Sequence, residues 1–208
     1  SEVQLTSKLR GSEHGFDSTL RAFDATLAAL GTDYLDLYLI HWPLPMRDLY
    51  VDTWRAFIRL REEGRIRSIG VSNFQPAHID RLLSETGVLP AVNQIELHPD
   101  FTQAALRAWH ARQGIVIECW SPLGRGEVLK DATVARIAQK HGRSPAQILL
   151  RWHVQHGLVA IPKSQDPQRM RQNLAVFDFA LDAEDLAALA LLDGDHRQGG
   201  DPDTNDER

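Results

Sequence analysis

The apolar run "YLDLYLIHWP" stops on three residues ill suited to a strand interior: the titratable His41, the bulky Trp42 and the strand-ending Pro43. An imidazole ionises near neutrality and can give up or take a proton. A histidine at that position is either tied to backbone or placed to act on a bound molecule. It has company. Other short apolar runs end in Lys8, Ser72 with Asn73, Gln94 through His98, Trp120 with Ser121, and Lys163 with Ser164. So many polar and titratable strand ends exceed what packing requires, and they imply a site. Two other features imply none. Cys119 is the sole cysteine, set in an apolar run, and reads as core. His153 and His156 lie three apart on a helix, but no carboxylate or cysteine at ligand spacing joins them, so no metal is expected.

Residues of this kind need elements to hold them, and the hydropathy pattern supplies these in alternation. Residues 3–9, "VQLTSKL", read as a strand. Phe16, Leu20, Phe23, Leu27 and Leu30 then recur at four-three-four-three spacing, one apolar stripe on a helix that Gly31 stops. Further strands are expected at 34–42, 66–74, 90–99, 115–124 and 158–164, with helical spacing between them and Gly64 and Gly87 ending two helices. Ser144 with Gln147 forms a capping box with Pro145 at the first helical position, and Asp182 caps the last helix.

This alternation is the signature of a parallel sheet with crossover helices. Units of about thirty residues, apolar on both strand faces, point to an α/β fold of the (β/α)8 TIM-barrel type with about six of its eight strand-helix units present. An open doubly wound sheet is the alternative, although "SKLRGSEHG" after the first strand is no G-x-G-x-x-G. Residues 1–194 are expected to form a single barrel domain, incomplete at its N-terminus. Residues 195–208, polar and acidic, read as a mobile tail.

Composition narrows the function classes. The chain has 208 residues, 43% hydrophobic and 25% charged, enough for one sizeable core. Its net charge of −5, with basic residues scattered along the chain, argues against nucleic acid as a partner. The longest apolar run falls well short of the roughly 20 residues that span a bilayer, and the start has no signal-peptide pattern, so a cytoplasmic protein without a membrane partner is expected.

Taken in order, "LTSKL", "LIHWP", "GVSNF", "NQIELHP", "CWSPLG", "IPKS" and "RMRQNLAVFDF" resemble the motifs of the aldo-keto reductase family, from the first residues to about Leu192. Each motif alone is weak, but the ordered series is specific. The resemblance implies reduction of a small-molecule aldehyde or ketone by hydride from NADPH, in a monomer. It implies that Lys8 lowers the pKa of an acid tyrosine and that His41 orients the carbonyl, with Trp42 also against the substrate. Ser72, Asn73 and Gln94 would hold the nicotinamide carboxamide, Trp120 would stack on the ring, and Ser121, Leu123 and Gly124 would line the pyrophosphate. Lys163, Ser164 and Arg169 would bind the 2′-phosphate, and Asn173 the adenine. A catalytically inactive NADP-binding subunit on the same fold is the alternative function.

The sequence also departs from the family pattern. The acid tyrosine and the lysine's aspartate partner precede the lysine strand in the family, whereas Tyr34, Tyr38 and Tyr50 all follow it here and match no motif. The expectation is the C-terminal three-quarters of a longer protein, short by about 70 residues of a full barrel. Asp166 introduces a carboxylate near the expected 2′-phosphate, where it could repel that group or accept from a bare ribose hydroxyl. The short "RGEVLKD" loop and a tail without aromatics suggest a fairly open site, as in the bacterial 2,5-diketogluconate reductase type.

Overall fold

The structure is a computed structural model and describes residues 3–207. It divides into two compact units, and the chain passes from one to the other inside a strand. The first unit takes the chain as far as Gln94, together with Ala108–Val116 and the residues from Gly200 onward; the second holds Ile95–Arg107 and Ile117–Gly199.

In the first unit, β1 (Thr6–Leu9), β2 (Leu35–Ile40), β3 (Ile66–Ser72) and the start of β4 (Val92–Glu96) lie parallel in chain order. The crossovers are α1 (Phe16–Leu30), α2 (Tyr50–Glu62) and α3 (Pro76–Thr86). Each connection steps to the adjacent strand in the same direction. A doubly wound sheet would reverse direction at a switch point, so this order is that of a (β/α) barrel. Every residue of β2 is buried, as expected where both sheet faces are covered. Asp36 is part of that strand because its carboxylate accepts the Leu5 N–H at 2.8 Å and pairs with Arg67 at 2.6 Å. Close strand approach makes Gly70 necessary: a Cβ there would stand 2.7 Å from both a Leu39 methyl and the Val92 carbonyl oxygen. The core gathers Phe23, Tyr38, Trp54 and Phe57, with Tyr38 5.2 Å from Phe23 and 4.7 Å from Phe57 between ring centroids.

The second unit continues the alternation with the N-terminal part of α4 (Ala104–Gln113), then β5 (Val116–Trp120), α5 (Ala132–His141), α6 (Pro145–Gln155), β6 (Val159–Ala160), α7 (Pro167–Leu174) and α8 (Ala183–Ala190). β5 and β6 are parallel, with Glu118 opposite Val159 and Cys119 opposite Ala160. Its core centres on Ile95, Ile137, Ile148, Leu149, Trp152 and Leu189. The Ser144–Gln147 capping box is present in both directions, at 3.3 and 3.0 Å, and Asp182 caps α8 through the Asp185 N–H at 2.9 Å. No helix among the described residues is long and apolar enough to cross a membrane.

Two expectations need correction. The sixth strand covers two residues instead of seven. Ile161 still donates to the Cys119 carbonyl at 3.2 Å, but Pro162 has no N–H and the ladder ends there. The tail expected to be mobile has fixed partners: Asp203 pairs with His78 at 3.2 Å, the Gln198 and Gly199 N–H groups each donate to Glu96 at 2.8 Å, and Glu207 engages Gly11 and His41. Its composition could not reveal this, because its partners lie far away in sequence.

Candidate active site

The first unit carries Lys8, His41, Trp42, Ser72, Asn73 and Gln94. Lys8 stands opposite Leu39 and Ser7 opposite Tyr38. Side chains alternate along a strand while paired neighbours share a face, so Lys8 and Tyr38 leave the sheet on opposite sides. Tyr38 faces α1 and α2, where burial pushes its hydroxyl up to about 12. Tyr50 packs edge-on against Phe74 and His78, and burial likewise raises its pKa. Tyr34 lies under the Arg67 guanidinium.

His41 follows β2 directly. Its backbone is fully engaged: the N–H donates to the Leu9 carbonyl at 3.1 Å, and its own carbonyl accepts from Asn73 Nδ2 at 3.0 Å. The imidazole is 38% exposed and its Nδ1 meets the Glu207 carboxylate, which also accepts the Gly11 N–H. The ring is therefore partly exposed and held at Nδ1 by Glu207, with the backbone around it engaged as well. Trp42 is buried beside it, with ring centroids 6.1 Å apart.

Ser72, Asn73 and Gln94 form one buried cluster, at 1%, 5% and 2% exposure. The Ser72 hydroxyl donates to the Gln94 carbonyl at 2.8 Å and accepts from Asn73 Nδ2 at 3.1 Å, and the Asn73 N–H reaches that same carbonyl at 3.0 Å. Asn73 sits at φ 63°, a left-handed conformation uncommon outside glycine and costly unless its surroundings hold it. Here β3, β4 and His41 do so together.

The second unit carries Trp120, Ser121, Leu123, Gly124, Lys163, Ser164, Arg169 and Asn173. Trp120 ends β5, and its carbonyl accepts the Leu97 N–H at 3.4 Å. The turn that follows is left-handed at Ser121 and Gly124, closed by a 2.8 Å bond from the Gly124 N–H to the Ser121 carbonyl. A Cβ on Gly124 would lie 2.3 Å from a Val128 methyl, so glycine is required twice over. Lys163, Ser164, Arg169 and Asn173 line one cavity of about 740 Å³ with Leu123 and the Ser144 cap; Trp120, Ser121 and Gly124 are not in its wall. Asp166 also lines it, but its carboxylate caps α7, accepting from the Gln168 and Arg169 N–H groups at 2.7 and 3.2 Å.

Other groups carry structure. Both His153 nitrogens face carbonyls, Leu149 at 2.8 Å and Leu97 at 3.0 Å, and burial holds its pKa down at about 4. His156 Nδ1 lies 2.8 Å from the Trp152 carbonyl. Cys119 is fully buried and its thiol is pushed far up by desolvation, so it is inert. Sequence reasoning missed His14, 5% exposed with no hydrogen-bond partner at either nitrogen and lowered to about 4 by burial, then by the charges of Arg47 and His41. It also gave Glu96 no role. The one available signal was a glutamate between Ile95 and Leu97 in the polar end of the "NQIELHP" strand.

Parallel strands joined in sequence by helices, with polar groups at their C-terminal ends, define the barrel class whose ligands meet those ends. The chain belongs to the aldo/keto reductase family, whose model matches residues 1–193. It is 56% identical over 204 residues to an aldo-keto reductase of Mycobacterium sp. (strain JLS), covering 98% of this chain and 74% of that protein. It is 48% identical over 202 residues to the glyoxal reductase of Bacillus subtilis (strain 168), covering 97% of this chain and 72% of that one. The crystal structure of a Gox0644 mutant in complex with NADPH superposes with a TM-score of 0.96 at 52% identity, over 98% of this chain and 76% of that one. The chain thus spans about three-quarters of the length of these relatives.

Proposed function

We propose that this chain forms the greater part of an NADPH-dependent reductase of small aldehydes or ketones. The observation that carries the reading is the buried Ser72–Asn73–Gln94 cluster, whose Asn73 amide bonds the backbone of a partly exposed His41. A packing role alone would not need a left-handed asparagine and a partly exposed imidazole at adjoining strand ends. The relatives support the chemistry: similar proteins include a methylglyoxal reductase DkgA of Salmonella typhimurium and a 2,5-diketo-D-gluconic acid reductase B, both 48% identical.

The residues present fit NADPH. Lys163 and Arg169 supply two cations to one cavity beside Ser164 and the α6 cap, a donor set suited to the 2′-phosphate, and Asn173 offers an amide for the adenine. The glycine-dependent turn of Ser121, Leu123 and Gly124, held closed by the Gly124 N–H on the Ser121 carbonyl, would line the pyrophosphate, and the Trp120 indole offers a platform for the nicotinamide. NADPH, when bound, supplies the hydride. The chain's own residues do the rest. Ser72, Asn73 and Gln94 hold the carboxamide, which fixes the ring. His41, with Trp42 beside it, donates to the carbonyl oxygen as negative charge develops there. Lys8, on the sheet face opposite Tyr38, lowers the pKa of the phenol that delivers the proton. None of Tyr34, Tyr38 and Tyr50 matches that phenol's place in the family pattern. In keeping with the family resemblance, the enzyme acts as a monomer.

The test is NADPH oxidation by the intact protein with methylglyoxal and a panel of simple aldehydes. Carbonyl-dependent turnover is expected. NADPH binding without turnover would leave a cofactor-binding protein, and absence of both would overturn the reading.

A further inference from the structure

The second unit buries a carboxylate that the proposed chemistry does not use. Glu96 is 1% exposed at the end of β4. Its Oε1 lies 3.0 Å from His98 Nε2 and accepts the Gln198 N–H at 2.8 Å, while Oε2 accepts the Gly199 N–H at 2.8 Å. Desolvation alone would raise its pKa, but these donors outweigh it and hold the group below the usual carboxylate range. His98 is held in turn by Asp100, whose backbone carbonyl accepts the Gly194 and His196 N–H groups at 3.3 and 3.1 Å. The Gln198–Gly199 segment is thus fastened at both residues to one buried anion, with its approach tied down by the same network.

What this strap touches is informative. A Cβ on Gly199 would stand 2.2 Å from Trp120 Cη2 and 2.8 Å from Glu96 Oε2, so the backbone lies flat against the edge of the indole where only glycine fits. The neighbouring Gln198 side chain donates to the Gly124 carbonyl at 3.1 Å, inside the glycine turn. Two elements assigned to the cofactor therefore share one support.

We propose that Glu96 and Gly199 are positioning residues: Glu96 pins the Gln198–Gly199 strap, and the strap sets the orientation of the Trp120 ring and the Gly124 turn for the nicotinamide half of the cofactor. The proposal rests on the reading of Trp120 as the nicotinamide platform. It separates the two ends of the cofactor, because the strap's bonds run to Glu96 and Gly124 while Lys163 and Arg169 line a cavity whose wall includes neither Gln198 nor Gly199.

The experiment measures dissociation constants of NADPH and of adenosine 2′,5′-bisphosphate, which carries only the adenosine-phosphate end, for the intact protein and for Gly199→Ala, Glu96→Gln and Gln198→Ala. Gly199→Ala should weaken NADPH about five- to tenfold, the scale of one aromatic contact, and leave the bisphosphate within about twofold. Glu96→Gln should move the same way, and Gln198→Ala, which adds no volume, by a smaller factor. Equal losses for both ligands would mean a merely structural role, and unchanged NADPH binding in all three variants would remove the strap from the site; either result overturns the proposal. Should Gly199→Ala not fold, Gln198→Ala decides by the same criterion. Wild-type protein that binds neither ligand would instead refute the cofactor reading itself.

Discussion

The two units hold the residues expected of the site in opposite styles. In the first, Ser72, Asn73 and Gln94 are nearly sealed from solvent and bonded to one another, on strands whose residues pair in register. In the second, Lys163 and Arg169 lie nearer solvent, and α7, which bears Arg169, buries no residue at all. Rigid, buried groups suit the orientation of a reacting ring, where small displacements cost rate. Accessible cations suit the capture of a phosphate, where charge matters more than angle. The Ser72–Asn73–Gln94 cluster with His41 should therefore weigh on turnover, and the Lys163 and Arg169 cations on affinity.

The sharpest way to break this division is His41→Ala. It should lower kcat for an aldehyde by about a hundredfold or more while leaving NADPH affinity close to wild type. A mutant with near-normal kcat would remove the imidazole from the reaction. Next is the double substitution Lys163→Ala with Arg169→Ala, which should weaken NADPH by roughly 2 to 4 kcal/mol and leave NADH almost untouched. Equal losses in a titration with both cofactors would show that these cations bind something the two share.

Acid should test both units alike. His14 in the first and His153 in the second are each held at about 4, against an ordinary 6.5, by burial. Both are neutral in the fold, so the unfolded chain binds the extra proton first, and stability present above pH 6.5 is lost as pH falls towards 4. Each should cost about 2 kcal/mol between about pH 7 and pH 5 in denaturant titrations. His153→Gln should flatten part of that slope; an unchanged slope would mean that His153 already carries its proton at neutral pH. The smallest effect belongs to Ser144→Ala, which opens the α6 capping box and should cost about 1 kcal/mol of stability. Because Ser144 also lines the cavity of Lys163 and Arg169, NADPH affinity should fall slightly while kcat stays constant.

Much of this molecule was legible in its sequence because the relevant interactions are short-range. The stripe from Phe16 to Leu30, the stop at Gly31, the Ser144–Gln147 box and the Asp182 cap each involve residues within a few positions, and all of them appear in the structure. The placement of polar residues at strand ends follows equally from the alternation of elements, which is why the residues expected of the site lie at the ends of strands or in the loops and short helix that follow.

What the tertiary structure decided are pairings that exist only once distant segments are packed. Glu96 and Gly199 are 103 positions apart, and Glu207 reaches His41 across 166. No local pattern encodes either contact, so a polar tail that composition marks as mobile is held in place by groups it meets only on folding. The direction of Tyr38, the left-handed turn at Asn73 and the burial of an unpartnered His14 belong to the same class. Sequence spacing sets which residues share an element; which face becomes interior, and which charge becomes buried, depends on the free energy of packing elements together.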